Sequence, residues 1–308
     1  MKTLGYLVIP NYRAQNVNAE ANQYVAGLPA ITGFTGFAHQ QIRLLNQPID
    51  MGLLENGTAI VIHDFHLRAG HPRCPAYMKD ENGSEAASIV EEFKADIQLS
   101  LLIRVGIDKS RLDEDDEVDD IADNMLKNHF IGEQHNDATR YYANPTLQNR
   151  INHSFLAGGH CIKTGKVGFL RNSELSDWLK KEMSPGYFIK DRYDLLAEDK
   201  AEGIAPLDSV LNSMTVFKTD DNSEYQRGRK GWIIPVAVGY QAIELPQQRP
   251  QARGGHPHVY AEPVTGLAEA VSAKRIANEK RLTRQAIFWT HQYQAENSLY
   301  YVTALTGN

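Results

Sequence analysis

Apolar residues at a period of two within the run from Ile89 to Val105 place the strongest constraint on the fold of this chain. Apolar side chains recur at every second position, at Phe93, Ala95, Ile97, Leu99, Leu101 and Ile103. Successive side chains of a strand point to opposite faces of a sheet, so this period fits a long, half-buried strand and does not fit a helix. The run therefore predicts a sheet that has at least one face against a core.

Further strands and helices are predicted on both sides of this run. Strands are expected at Thr3 to Ile9, at Thr58 to Leu67 after an Asn56-Gly57 turn, and within Phe155 to Leu170, and helices at Gly36 to Asn46 and Val118 to Phe130. The resulting order is strand, helix, strand, strand, helix, strand, which is compatible with a ferredoxin-like, RRM-like α+β fold. About two dozen residues separate the second and third strands, and they predict a protruding hairpin at about residues 68–90.

The second half of the chain predicts a further α+β region. The pattern indicates a helix at Pro206 to Met214, a strand at Gly231 to Ala242, an exposed loop at Leu245 to Pro263, a helix at Gly266 to Lys280, and a terminal helix or strand pair at Arg284 to Thr303. We therefore expect an RRM-like domain at residues 1–171, with residues 172–308 packed on it as an elaboration.

Composition narrows the class of protein. With 308 residues, 42 % of them hydrophobic, the chain can bury a substantial core. Cys74 and Cys161 are its two cysteines, which argues against a disulfide framework and for a reducing cytoplasm. The apolar run at Met1 to Pro10 is too short to span a membrane and lacks a small-residue cleavage site, so we expect no targeting segment and no membrane partner.

Charge is unevenly distributed along the chain. The net charge is −6, and eight of the eleven residues from Asp113 to Asp123 are acidic. Carboxylates suit the positive end of a helix dipole, so this run predicts a solvated helix start, with a docking surface for a basic partner as the alternative. An acidic chain must bind nucleic acid through local positive charge elsewhere.

The segment Gly33 to Leu45 predicts a glycine-flanked helix start after a polar loop. The unpaired N–H groups of a helix N-terminus attract anions, so a phosphate could sit at Thr35 and Gly36. The alternative is a core helix that buries Phe34, Phe37 and Ile42.

Five blocks of sequence, in this order, resemble the second-subunit family of type I-F CRISPR surveillance (Csy) complexes, which are Cas-five-type proteins of the RAMP superfamily. The blocks are Gln15 to Ala19, Phe34 to His39, Ser88 to Glu92 leading into Leu99 to Leu102, Leu156 to Gly159, and Gly231 to Tyr240. Their order and spacing carry the resemblance, which runs almost from end to end.

The resemblance implies an RRM-like RAMP core with an inserted thumb and a non-catalytic structural role without a cofactor. It implies that the chain binds the 5′ handle of CRISPR RNA (crRNA), pairs with the large subunit, contacts a backbone subunit through the thumb, and meets target DNA through the complex. A separate subunit processes the RNA in these systems. Base pairing by the guide then reads the target.

Polar, basic and glycine residues in the matching blocks and in the basic loops are the candidate RNA-binding residues. Amides suit base edges, basic side chains suit phosphate, and glycine lets backbone approach RNA. The candidates are Arg13, Gln15, Asn16, Asn18, Thr35, Gly36, His39, Arg43, Arg68, Arg73, Gly158, Gly159, Arg249 and Arg253. Alternatively, the amides satisfy loop backbone, the glycines form a tight turn or bulge, and the thumb cations are merely solvated.

Other functions remain as alternatives. His39, His160 and Lys163 could serve a RAMP endoribonuclease that processes repeat RNA by acid–base catalysis. His63, His66, His71 and Cys74 have ligand types that suit zinc, although His63 and His66 would lie on opposite faces of a strand. A protein-only scaffold is a further alternative, whereas the sequence has no phosphate-loop, dinucleotide or nucleophile-elbow motif.

Overall fold

A computed structural model of the chain describes residues 2–22, 25–47, 50–68, 72–73, 78–80, 83–85, 90–108, 118–135, 138–175, 178–179, 183, 185–218, 225–250, 255–279 and 285–304. The helices in this part are α1 Ile31–Leu45, α2 Val118–His129, α3 Pro145–Asn152, α4 Tyr193–Ala201, α5 Pro206–Met214 and α6 Ala273–Asn278.

The strands, numbered in chain order, are β1 Lys2–Asn18, β2 Glu20–Asn22, β3 Val25–Ala26, β4 Leu53–Arg68, β5 Pro72–Arg73, β6 Met78–Asp80, β7 Gly83–Glu85, β8 Val90–Glu91, β9 Lys94–Ile107, β10 Phe130–His135, β11 Ala138–Ala143, β12 Phe155–Leu156, β13 Gly159–Lys163, β14 Gly168–Leu170, β15 Tyr187–Asp191, β16 Val216–Lys218, β17 Tyr225–Arg227, β18 Ile233–Ala242, β19 Ala261–Ser272, β20 Phe288–Gln294 and β21 Leu299–Thr303. The chain is thus an α+β protein.

One large antiparallel sheet organises these elements. Its strand order is β10-β11-β14-β1-β9-β4-β15-β19-β18-β21-β20, and β12 and β13 join it at the far end of β1. The long strands β1, β9 and β4 form its centre, with Leu7 opposite Ile103 and Leu101 opposite Ile60. The strand that the apolar alternation predicted therefore lies in the middle of the sheet, as β9.

The sheet closes on itself at one end. Strand β4 pairs with β9 along one edge, while its other edge pairs with β20 at Thr58 and Ala59 and with β15 at Val61 and Ile62. Strands β4, β15, β19, β18, β21 and β20 thus form a ring. A buried hydrogen bond crosses it, from Trp289 Nε1 to the Ile189 carbonyl at 2.8 Å.

Helices cover one face of the central strands. Helix α1 buries Ile31, Phe34, Ala38, Ile42 and Leu45 against that face. Their spacing of three and four residues places them on one side of the helix. Apolar side chains of α2 and α3 join the same core, so the odd-numbered residues of β9 from Ala95 to Val105 are fully buried.

The opposite face is covered along only half of its length. Tyr6, Val8, Val61 and Leu102 pack there in a second core with Leu179, Met183 and α6. This cover ends at Ser100, where the His63 side chain bonds the Pro185 carbonyl. Beyond Ser100 the same face is polar, and no described helix covers it.

Several predicted elements are confirmed. The predicted helix Pro206 to Met214 has the same bounds in the structure, and the helix predicted from Val118 ends one residue early, at His129. The terminal segment is a strand pair, β20 and β21. The described strands β1 and β4 extend well beyond the predicted ranges.

Three predictions are wrong. Helix α1 begins at Ile31 rather than at Gly36, because Ile31 and Phe34 are buried in its first turn. Asn56-Gly57 is not a turn but a bulge inside β4, where the register shifts between Glu55 and Thr58. The segment from Gly266 to Ser272 is strand rather than helix, because β19 lies between β15 and β18 and pairs with both.

Two further predictions stay predictions. The thumb at about residues 68–90 falls largely outside the described residues, as does the acidic run from Asp113 to Glu117. The division into 1–171 and 172–308 is untested, although strands from both parts pair in one sheet and share a core.

Candidate nucleic-acid interface

The half of the sheet face opposite α1 that no described helix covers is a polar surface on the central strands. It is formed by Asn11, Arg13 and Asn16 of β1, Asp96 and Gln98 of β9, Arg68 of β4 and Lys163 of β13, and we call it the polar face. On β1 and β9 these residues alternate with Tyr12, Ala14, Ile97 and Leu99, which are buried on the α1 side. The same alternation that builds the core therefore builds the polar face.

Arg13, Gln98 and Asn11 form one hydrogen-bonded row. Arg13 Nε donates to Gln98 Oε1 at 3.0 Å, and Gln98 Nε2 donates to Asn11 Oδ1 at 3.0 Å. Lys163 lies directly opposite Arg13 across the β1–β13 pair, and neither side chain makes an ion pair with a residue that the structure describes. A shallow groove of about 390 Å³ is lined by Asn11, Arg13, Gln98 and Lys163 together with Thr164 and Gly165. Two cations at the floor of an open groove suit a phosphate backbone.

A second cluster extends the polar face toward the end of β4. Arg68 Nη2 donates to Asn16 Oδ1 and to Asp96 Oδ1, both at 2.7 Å. Asn16 has φ +59°, in the left-handed region, and its backbone N–H bonds Asp96 Oδ1 at 3.3 Å. The carboxylate of Asp96 thus orients the Arg68 guanidinium on the sheet surface.

His63 marks the border between the covered and the polar parts of this face. Its Nε2 lies 2.7 Å from Ser100 Oγ, which also accepts the Asn11 N–H at 2.9 Å. A bulge between Ile62 and Asp64 places His63 on the same side as His66 and Arg68, so the prediction that the two histidines face opposite ways is wrong. His71 and Cys74 lie outside the described residues, and within the part that is described no group of three ligating side chains converges.

The candidates on α1 are separated from the polar face. The helix begins at Ile31, so Thr35 and Gly36 lie in its second turn and their N–H groups are not at its open end. Thr35 is 0 % exposed, and its hydroxyl bonds the Thr32 carbonyl. Gly36, His39 and Arg43 are exposed on the solvent side of α1, across the sheet from Arg13. The predicted anion pocket at Thr35 and Gly36 is therefore wrong.

The glycine pair forms a tight hairpin between β12 and β13. Ala157 and Gly158 have φ of +47° and +79°, and two-residue hairpin turns of the type that matches the twist of the flanking strands need positive φ at both central residues. A Cβ on Gly159 would lie 2.6 Å from the Gln15 carbonyl oxygen and the Val17 nitrogen. The missing side chain of Gly159 therefore serves the contact between β13 and β1.

The remaining candidates fall into separate places. Gln15 is exposed on β1 beside the polar face, opposite His160 of β13. Asn18 instead satisfies local backbone through Glu20, with its Nδ2 3.0 Å from the Glu20 carbonyl oxygen. Arg249 pairs with Glu244 at 2.6 Å and covers the Tyr260 ring at 4.5 Å. The side chain of Arg73 and all of Arg253 lie outside what is described.

The three groups predicted for acid–base catalysis lie on two different elements. His160 and Lys163 lie on β13, whereas His39 projects from the outer side of α1. Burial raises the pKa of the nearby Cys161 thiol, and burial likewise raises the pKa of Tyr12, so both groups stay protonated near neutral pH.

Asn11, Asp96 and Gln98 belong to the polar face but were not among the candidates. The polar positions of the β9 alternation, Lys94, Asp96, Gln98 and Ser100, were visible in the sequence as the other half of the apolar pattern. That signal could have identified Gln98 and Asp96, whereas the bulge that brings Asn11 onto this face has no comparable pattern.

Comparisons with known proteins identify the family. A family model described as CRISPR-associated protein (Cas_Csy2) matches residues 7–302, nearly the whole chain. The chain is also similar to the CRISPR-associated protein Csy2 of Pseudomonas aeruginosa (strain UCBPP-PA14), with 26 % identity over 325 aligned residues that cover 96 % of this chain and 93 % of that protein. No described helix has the length and apolar character needed to cross a membrane. The chain belongs to the Csy2 family of CRISPR-associated proteins.

Proposed function

We propose that this protein is a non-catalytic structural subunit of a type I-F Csy complex that binds the 5′ handle of crRNA on the polar face and pairs with the large subunit in antiviral defence. Its membership of the Csy2 family supports the assignment to the complex. The position and chemistry of the polar face carry the RNA-binding part of the proposal.

An RRM-like core would explain why this face is available. The strand order β14-β1-β9-β4 is the order 4-1-3-2 of a ferredoxin-like sheet, and α1 and α2 lie on the same side of it. Such a fold leaves one sheet face free of helices, and RRM proteins use that face for RNA. Five of the seven residues of the polar face lie on the two central strands of this order, β1 and β9.

Its chemistry suits a single strand of RNA. Arg13, Lys163 and Arg68 supply positive charge, while the amides of Gln98, Asn11 and Asn16 offer donors and acceptors for base edges. Asp96 forms an ion pair with Arg68, which reduces the repulsion between its carboxylate and a phosphate. The face thus combines local positive charge with groups that read bases, despite the overall charge of −6.

A partner is expected to complete the site. An acidic chain with two cations in the groove, and a third on the polar face that is paired with Asp96, holds a strand only weakly by electrostatics. We propose that the large subunit covers the RNA from the other side, that the thumb contacts a backbone subunit, and that target DNA meets the chain only within the complex.

Co-expression tests this function. The tagged full chain is co-expressed with the candidate complex subunits and a repeat-spacer RNA, and the co-purifying RNA and proteins are identified by sequencing and mass spectrometry. We expect crRNA with a defined 5′ end together with the large subunit. Proteins without RNA would leave only a scaffold, and RNA cut inside the repeat only when this chain is present would make it a ribonuclease.

Variants locate the RNA in the same experiment. The triple variant Arg13→Ala, Arg68→Ala, Lys163→Ala removes three cations from the polar face, and the matched control Arg43→Ala, Lys127→Ala, Arg150→Ala removes three exposed cations from the helices of the other face. We expect the first to lose RNA and the second to retain it. Equal retention by both would refute the polar face as the binding surface.

A further inference from the structure

A second concavity adjoins the polar face and has a different chemistry. It has a volume of about 520 Å³, within the usual range for small-molecule pockets. It shares Asn11 and Gly165 with the groove beside Arg13. Its other walls include the aromatic Tyr142 and Trp178, the basic Arg140 and Lys166, and the acidic Glu174, whose carboxylate accepts the Arg171 N–H at 2.7 Å.

The floor of this pocket lies at Gly168, which has no side chain. Tyr142 of β11, Gly168 of β14 and Val8 of β1 lie opposite one another in register, so their side chains would project from one sheet face in a single row. Gly168 has no side chain in the middle of that row, and a Cβ there would lie 3.8 Å from Tyr142 Cδ1. Two strand spacings, roughly 10 Å, then separate the Cβ atoms of Tyr142 and Val8. The gap can admit a flat ring in stacking contact with Tyr142, since stacked rings have centroids about 4.5–7 Å apart.

Basic groups frame the aromatic wall. Lys166 Nζ lies over one face of the Tyr142 ring, 3.8 Å from its centroid, and pairs with Glu133 at 2.5 Å, so that face already carries a cation. Arg140 is exposed two residues before Tyr142 on the same face of β11, and it makes no ion pair within the described part of the chain. Trp178 packs against the second core and closes the far side.

We propose that this pocket, which we call the base pocket, takes one unstacked nucleobase of the RNA that lies on the polar face. The base stacks beside Tyr142 and Trp178 over Gly168, and Arg140 contacts the phosphate next to it. Stacking on aromatic rings accepts any base, so the pocket anchors the strand rather than reading its sequence. This inference rests on the proposed function, because the RNA reaches the base pocket along the groove lined by Asn11 and Gly165.

A fluorescent base tests the proposal. The assembled complex is prepared with a series of crRNAs that carry 2-aminopurine at successive handle positions, since stacking on an aromatic ring quenches this analogue. We expect one position to be quenched more strongly than its neighbours. Trp178→Leu should relieve the quenching at least twofold and Arg140→Ala should lower RNA affinity about tenfold, as loss of a stacked base or a charged contact does.

Matched controls keep folding and binding apart. Trp232→Leu removes another tryptophan, 54 % exposed on the closed ring, and Arg43→Ala removes a cation from α1, and neither should change the signal. Trp178 packs on the second core, so Trp178→Leu can also change folding. Arg140 is not part of that core, so Arg140→Ala tests the base pocket without disturbing it.

The outcomes separate the two proposals. A complex that retains crRNA but shows no selectively quenched position, or a quenched position that ignores Trp178→Leu and Arg140→Ala alike, would overturn the base pocket and leave the handle-binding function standing. A complex without RNA would overturn the proposed function itself.

Discussion

Replacement of Arg13 by alanine separates RNA binding from folding. The Arg13 side chain is exposed, and the Nε of its guanidinium donates one hydrogen bond to the uncharged amide oxygen of Gln98 at 3.0 Å. Gln98 keeps its bond to Asn11 in the variant. An exposed bond of this kind contributes at most about 1 kcal/mol, so we expect the free energy of unfolding to fall by no more than that.

The effect on RNA is larger and has a second signature. A guanidinium on a phosphate contributes about 1.5–3 kcal/mol, so its loss weakens binding by roughly tenfold or more. One lost phosphate contact also reduces the slope of log K against log salt by about 0.7 for a single strand. Arg13→Ala combined with Lys163→Ala, across the β1–β13 pair, should reduce it by about 1.4.

The assay is a salt titration of handle RNA binding to the purified complex, with Arg43→Ala as the control. The sequence alone placed Arg13 and Arg43 in one RNA site, whereas the structure places them on opposite sides of the sheet. We expect Arg43→Ala to match the wild type in affinity and slope. The reasoning is refuted if Arg43→Ala lowers the slope as much as Arg13→Ala does.

Three further predictions concern stability. Gly159→Ala should clearly lower the urea midpoint, because the new Cβ would lie 2.6 Å from backbone atoms of β1. At Gly158 a Cβ would meet no atom, so Gly158→Ala should cost only the strain of its positive φ, about 1 kcal/mol. Equal losses of stability in the two variants would contradict the role of Gly159 in the contact between β13 and β1. Trp289→Phe should lower the free energy of unfolding by about 2–4 kcal/mol, because it leaves a cavity and removes the hydrogen-bond donor to the Ile189 carbonyl. Trp232→Phe, at an exposed position, should change it by less than about 0.5 kcal/mol. Similar values for the two variants in chemical denaturation would argue against the buried hydrogen bond. Burial lowers the pKa of His129 in the folded protein, so the unfolded chain takes up the proton at a higher pH. The contribution of His129 to stability should therefore be complete above pH 6.5, the ordinary histidine pKa, and should be lost as the pH falls below it. His129→Gln should flatten this dependence of the thermal midpoint on pH, and an unchanged profile would contradict the prediction.

The central strands could be predicted from sequence because their pattern is local. The period of two in Phe93 to Ile103 fixes both the strand and its buried face, and the helical spacing of Val118 to Leu126 fixes α2. The start of α1 was misplaced because Gly33 and Gly36 resemble a helix boundary, whereas burial of Ile31 and Phe34 continues the helix through them. The strand β19 has a helix-like composition of Ala, Glu and Leu, and pairing on both edges overrides that preference.

The polar face could be predicted only in part because non-local pairing assembles it. Arg13, Gln98 and Lys163 are far apart in sequence and meet through the registers of β1 with β9 and β13. Each register includes a bulge, which shifts side chains between faces in a way that no sequence pattern shows. The family resemblance correctly identified the family, but it grouped residues of α1 with residues of β1 that the sheet keeps apart.

Crosslinking of the assembled complex tests most directly whether RNA lies on the polar face. The complex is prepared with 4-thiouridine in the 5′ handle, irradiated, digested with protease, and the crosslinked residues are identified by mass spectrometry. The account predicts crosslinks within residues 11–16, 94–98 and 159–164 of this chain. Crosslinks confined to the outer side of α1, residues 36–43, or a complete absence of crosslinks to this chain in a complex that retains its RNA, would contradict it.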